Sequence, residues 1–124
     1  MKGFIIIIST ILILASCSET SNEVNLYTHR HYEVDEKLYE AFTKATGIKV
    51  NVVKANADEL IERLKNEGSN SPADLFITVD AGKLQKAKDL DLLQKISSPL
   101  IDQSVDDKLK DIDGYWIPLT YRAR

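Results

Sequence analysis

Apolar and polar side chains alternate over Val24-Asn25-Leu26-Tyr27, the period-two signature of a short strand. The period then lengthens. Val34, Leu38, Ala41, Phe42 and Ala45 fall at helical spacing, and Gly47 follows as a residue suited to a left-handed helix end. Ile48 to Val53 returns to β-branched alternation and predicts a second strand. Asn56-Ala57-Asp58-Glu59 has the form of a capping box, with Asn56 as N-cap and Glu59 reaching back. Ala57, Leu60, Ile61 and Leu64 make the buried stripe of the helix it starts, and Gly68 ends it. Ser69 to Pro72 is a loop. Leu75-Phe76-Ile77-Thr78-Val79 is almost continuously apolar, the pattern of a strand covered on both faces. Asp80 caps a short helix carrying Leu84 and Ala87. Further on, Leu92, Leu93 and Ile96 suggest a packed turn or strand, Asp113-Gly114 a turn, and Tyr115 to Thr120 a late strand.

Strand, helix, strand, helix, strand in that order predicts an α/β fold, with a mostly parallel sheet, right-handed crossovers and helices on both faces. In such sheets ligands bind beyond the carboxyl ends of strands, beside helix N-termini. Two loops meet that condition: Thr28 to Tyr32 and Asp80 to Gly82.

Composition narrows the class. The 124 residues are 44% hydrophobic and 28% charged, enough apolar content for a packed core and enough length for one domain. The net charge of −3, with no basic stripe, argues against a nucleic-acid binder. The single cysteine excludes a disulfide framework or a Cys-rich zinc site. Charge is also unevenly spread. Residues 1–17 carry only Lys2; beyond them, 15 basic side chains face 19 acidic ones. After Lys2 comes an apolar run, Phe4 to Ala15, shorter than the roughly 20 residues a spanning helix needs and of the form of a secretory signal. It ends in Leu14-Ala15-Ser16-Cys17, which resembles the lipobox of bacterial lipoproteins. That resemblance implies a signal peptide over 1–16 and an acylated Cys17 as mature N-terminus. Its acyl chains, at about 0.8 kcal/mol per buried CH₂, would hold the protein to a lipid bilayer. Residues 17–23 then form a polar tether, and 24–124 the folded body.

The first loop holds His29, Arg30, His31 and Tyr32. An imidazole nitrogen suits several transition metals. A phenol, with its ordinary pKa of about 10, is a poor ligand until a highly charged cation displaces its proton. Phenolate is then a hard anionic donor that favours ferric over ferrous iron. The helix starting near Val34 points its positive end at this loop, which helps retain an anionic oxygen. The bland alternatives are a surface His-Tyr pair, a solvated His29, Tyr27 and Tyr39 in packing, Trp116 and Tyr121 in core or rim, and Asp80 as cap only. Arg30 and Arg122 could each hold an anion or pair with the many carboxylates. No Ser/His/Asp ordering, nucleotide-binding glycine loop or HExxH pattern supports an enzyme.

Val24-Asn25-Leu26-Tyr27-Thr28-His29-Arg30-His31-Tyr32 resembles the start of mature ferric-iron-binding periplasmic proteins, the solute receptors of bacterial iron(III) ABC importers. The similarity continues through Ala57 to Arg63, Ser71 to Asp74, Thr78 to Gly82 and Thr120 to Arg124. The resemblance implies part of the first lobe of a type II periplasmic-binding-protein fold, closing by a hinge around Fe³⁺ and delivering it to a permease and ATPase complex at the bacterial cell envelope. It implies His31 and Tyr32 as first-lobe iron ligands, and Arg30 and Arg122 as groups near a carbonate-like synergistic anion. Family members are roughly two or three times as long and bring further tyrosines, including an adjacent Tyr-Tyr pair, which this chain lacks. The expectation is therefore an N-terminal fragment that binds iron weakly by itself. The rival expectations are a receptor for an oxyanion or polyamine on the same scaffold, and a lipid-anchored interaction module.

Overall fold

The computed structural model describes residues 22–120. The signal segment, Cys17, Tyr121 and Arg122 lie outside the described residues. Three parallel strands, β1 (Glu23–Thr28), β2 (Lys49–Lys54) and β3 (Leu75–Ile77), form one sheet in the order β2-β1-β3. β1 pairs with β2 from Glu23↔Lys49 to Thr28↔Lys54, and with β3 from Leu26↔Leu75 to Thr28↔Ile77. Parallel neighbours need helical crossovers, and the sequence supplies them. α1 (Glu33–Thr46) connects β1 to β2, and α2 (Ala57–Glu67) connects β2 to β3. α3 (Ala81–Asp89) and α4 (Pro99–Ser104) follow.

Alternation along β1 sends Tyr27 to one face and Leu26 and Thr28 to the other, and all three are buried. On the Tyr27 face, Leu60 and Leu64 of α2 pack against its ring, with Val53, Phe76 and Leu92 around them. Burying a side chain such as Leu60 contributes about 1.5–3 kcal/mol. The Tyr27 hydroxyl escapes an unpaired fate by donating to Glu67 at 2.8 Å. Glu67 also accepts from Arg63 and Ser71, so one carboxylate gathers strand, helix and the loop before β3. On the opposite face Tyr39 of α1 lies against Thr28, which puts helices on both sides of the sheet.

The helix ends follow local chemistry. Gly47 closes α1 at φ 73°, and its N–H donates to the Thr43 carbonyl. Asn56 accepts the Glu59 N–H at 3.0 Å, one half of the capping box. Asp80 accepts the Lys83 N–H at 2.9 Å and caps α3. Ala57, Leu60, Ile61 and Leu64 are the buried residues of α2, as their spacing requires.

Four expectations need correction. Tyr115 to Thr120 forms no strand; Pro118 lacks a donor N–H, and the segment is tied to its surroundings by isolated bonds such as Trp116 O accepting from Asp111. The run from Leu75 is a strand only to Ile77 and is not covered on both faces. β3 is an outer strand, so Leu75 and Val79 stay half exposed. Leu92 to Ile96 forms no element, although Leu92 joins the core. α4, which begins with Pro99 in its first turn, went unread because its six residues give no full apolar period. β1 also starts at Glu23, inside the stretch read as tether.

Among the described residues, nothing covers the apolar stripe of α1. None of its residues is buried, and Val34, Leu38 and Phe42 are 58%, 65% and 42% exposed.

Candidate metal centre

The first loop leaves the sheet at the carboxyl end of its middle strand. The His29 N–H donates to Ile77 O at 2.9 Å and prolongs the β1–β3 ladder by one bond. The buried Thr28 hydroxyl then accepts the Arg30 N–H at 3.0 Å and turns the chain. Tyr32 becomes the N-cap residue of α1, extended at φ −87° and ψ 139°. Its side chain caps nothing. Ser, Thr, Asp or Asn would each serve better there, because each offers an oxygen to the free N–H groups of the first turn. A phenol in this place breaks a local rule, and such breaks concentrate at functional positions.

His31 is oriented by the backbone. Its Nδ1 lies 3.0 Å from the His29 carbonyl oxygen. A carbonyl only accepts, so Nδ1 carries the proton, and in the neutral ring the lone pair is then on Nε2. That arrangement, with one ring nitrogen held by a carbonyl and the other free, is the one metal-binding histidines use. The His31 and Tyr32 rings stack at 5.9 Å with 22° between planes. Both side chains face an open groove of about 1560 Å³, whose other wall includes Thr78 to Ala81 and Tyr115 to Thr120. The second loop predicted from the sheet topology therefore borders the same groove as the first. Asp80, within it, is the helix cap already described.

Arg30 has a specific partner. Its Nε and Nη2 donate to the two oxygens of Asp35, at 3.0 and 2.8 Å. The pair is largely buried, with side chains 18% and 13% exposed. Hydrogen bonding to Arg30 holds the Asp35 carboxyl below the usual carboxylate range, although burial opposes it. The same bond raises the Arg30 pKa. One forked edge of the guanidinium, Nε and Nη2, is thus held by a carboxylate of the protein itself, and the Nη1–Nη2 edge lies outside that pair. The Arg30 Cζ sits 5.1 Å from the Tyr32 ring centroid. Asp35 was missed in the sequence because a first-turn acid reads as ordinary dipole compensation.

His29 stands apart. Its ring is 6.2 Å from that of His31, and its Nδ1 is buried without a hydrogen-bond partner. Among the described residues, no three His, Cys, Asp or Glu side chains converge where they could hold a metal ion. The His31 imidazole and the Tyr32 phenol are the two donor groups that the loop brings side by side, and two donors fill only part of a coordination sphere.

These features belong to a class. Residues 37–123 match the family model of bacterial extracellular solute-binding proteins, and the chain belongs to that family. Its fold is part of the first lobe of the type II periplasmic binding proteins. Within the family it is 44% identical to iron uptake protein A1 of Synechocystis, over 90% of this chain and 31% of that protein. It is 32% identical to the major ferric iron-binding protein of Neisseria gonorrhoeae, over 90% of this chain and 34% of that one. Among solved structures it resembles the Trichodesmium protein IdiA (FutA) in complex with iron and citrate, with TM-score 0.74 and 47% identity, covering 77% of this chain and 30% of that one. The ferric binding protein of Campylobacter jejuni gives TM-score 0.72 and 47% identity, over 73% and 29% of the two chains. The chain spans about a third of the length of the curated relatives it matches.

Proposed function

We propose that this chain carries the first-lobe half of a ferric-iron site, in the substrate-binding component of an ABC importer. It is a binding protein and not an enzyme. The Tyr32 phenolate and the His31 Nε2 are its iron ligands. A second lobe, in a chain as long as the relatives, supplies the remaining donors, and closure of the two lobes carries Fe³⁺ to the permease and ATPase complex. Arg30, through the guanidinium edge that Asp35 does not hold, and Arg122 are the candidates for holding a carbonate-like synergistic anion. Acylated Cys17 tethers the protein to a membrane of the bacterial cell envelope, on its periplasmic or extracellular side.

One observation carries this reading. A phenol stands at the N-terminus of α1, where it caps nothing, beside an imidazole whose Nε2 is left free by the His29 carbonyl. A trivalent cation gains from a hard anionic oxygen, and the positive end of a helix favours that oxygen in its charged form. Two donors leave most of the ferric coordination sphere to water or citrate, so this chain takes up iron weakly.

The test is a titration of the mature chain with ferric citrate, followed by the visible phenolate-to-iron charge-transfer band. Tyr32→Phe is expected to remove the band and His31→Gln to weaken uptake. An oxyanion or polyamine receptor would show neither effect. Unchanged uptake and an unchanged band in Tyr32→Phe would reject the assignment.

A further inference from the structure

We infer that Arg30, clamped by Asp35, is a positioning residue that fixes where the Tyr32 ring stands at the groove. The inference rests on the ferric reading of Tyr32 and adds the device that holds its ligand in place. Tyr32 is 46% exposed, and its side chain makes no cap bond. Alone, such a ring would exchange between rotamers. Two neighbours restrain it: the His31 ring stacked at 5.9 Å and the Arg30 guanidinium at 5.1 Å.

Arg30 can restrain the ring because it is itself pinned at three points. Its backbone N–H is held by the buried Thr28 hydroxyl at the end of β1. Its Nε and Nη2 are held by the two oxygens of Asp35 in the first turn of α1. The clamp therefore joins strand end to helix start, and Tyr32 lies on the five-residue span between them. A planar guanidinium can satisfy a carboxylate with two parallel bonds while presenting its face to a ring; a lysine ammonium cannot do both. Arg30 thus acts on the guest through Tyr32, with one of its two forked edges held by Asp35.

The clamp is tested by Asp35→Asn, Arg30→Gln and Arg30→Lys in the whole chain, with thermal melts to confirm folding. The first readout needs no iron. Relaxation of the Tyr32 ring carbons, measured by NMR, is expected to show a ring ordered in the wild type and mobile in all three variants, Arg30→Lys included. The second readout is ferric citrate uptake. Loss of partners that orient a metal ligand commonly costs about 10- to 100-fold in affinity, and a loss of about tenfold with a displaced charge-transfer band is expected here. A Tyr32 ring that stays as ordered in folded Asp35→Asn and Arg30→Gln as in the wild type would overturn the inference. Restoration of both readouts by Arg30→Lys would overturn it too, since charge alone would then suffice. If Tyr32→Phe leaves ferric uptake intact, the ferric reading fails, and the ring-mobility result still decides whether the clamp exists.

Discussion

Tyr32 shows a trade between stability and use at a single position. Replacing it with Ser or Asp supplies the missing cap, and such caps contribute about 0.5–2 kcal/mol. Tyr32→Ser is therefore expected to raise the unfolding free energy of the chain by a fraction of that range while abolishing the ferric charge-transfer band. Equilibrium urea unfolding measures the first and a visible spectrum the second; a destabilised Tyr32→Ser would show that the ring contributes more by packing than it forgoes in capping. His31 and Tyr32 were legible in the sequence because adjacent imidazole and phenol groups are chemically conspicuous. Asp35 was not, since its partner Arg30 is five residues away and no helical spacing links a loop residue to a first-turn acid. The free lone pair of His31 was equally invisible: it depends on the backbone carbonyl of His29, which no side-chain pattern records.

Helices were read well where their signals are local. The stripe and cap of α2 depend on residues within a few positions, and both are as expected. The Tyr115 to Thr120 segment failed as a strand because a strand needs a remote partner, which its own apolar run does not specify. Between elements, Asp58 of α2 joins α3 through Lys83 at 2.6 Å and Lys86 at 2.9 Å. Hydrogen bonds from these two lysines lower the Asp58 pKa from 3.8 to about 2. A carboxyl lowered in the folded state contributes stability above its ordinary value, and the contribution is lost as pH falls from about 3.8 through about 2. Asp58→Asn should thus be less stable than the wild type at neutral pH. The difference should vanish near pH 2, as denaturation followed by circular dichroism would measure. A gap that persists in acid would assign the effect to something other than this carboxylate.

At the scale of the whole molecule, the relatives are about three times as long, and the described residues leave apolar surface uncovered. Val34, Leu38 and Phe42 line one face of α1, and Leu75 and Val79 flank the open side of β3. Exposed apolar stripes of this kind bind hydrophobic dyes and promote association. Leu38→Gln is expected to lower dye fluorescence and self-association of this chain while changing stability by less than about 0.5 kcal/mol, as for other exposed positions. A large loss of stability would show that the residue is packed in solution. The sheet order was not legible beforehand; strand patterns announce membership, but pairing depends on crossovers that local periodicity does not encode.

The place of β1 in the middle of the sheet has a consequence for biosynthesis. The strand that leaves the ribosome first is the one both others must join, and its earliest possible partner, Lys49 opposite Glu23, emerges only after the whole of α1. Until then the apolar heart of the sheet has no mate on either side. Unpaired strands awaiting distant partners are where newly made chains clump, so the interval before Lys49 emerges is the one in which β1 is most open to association.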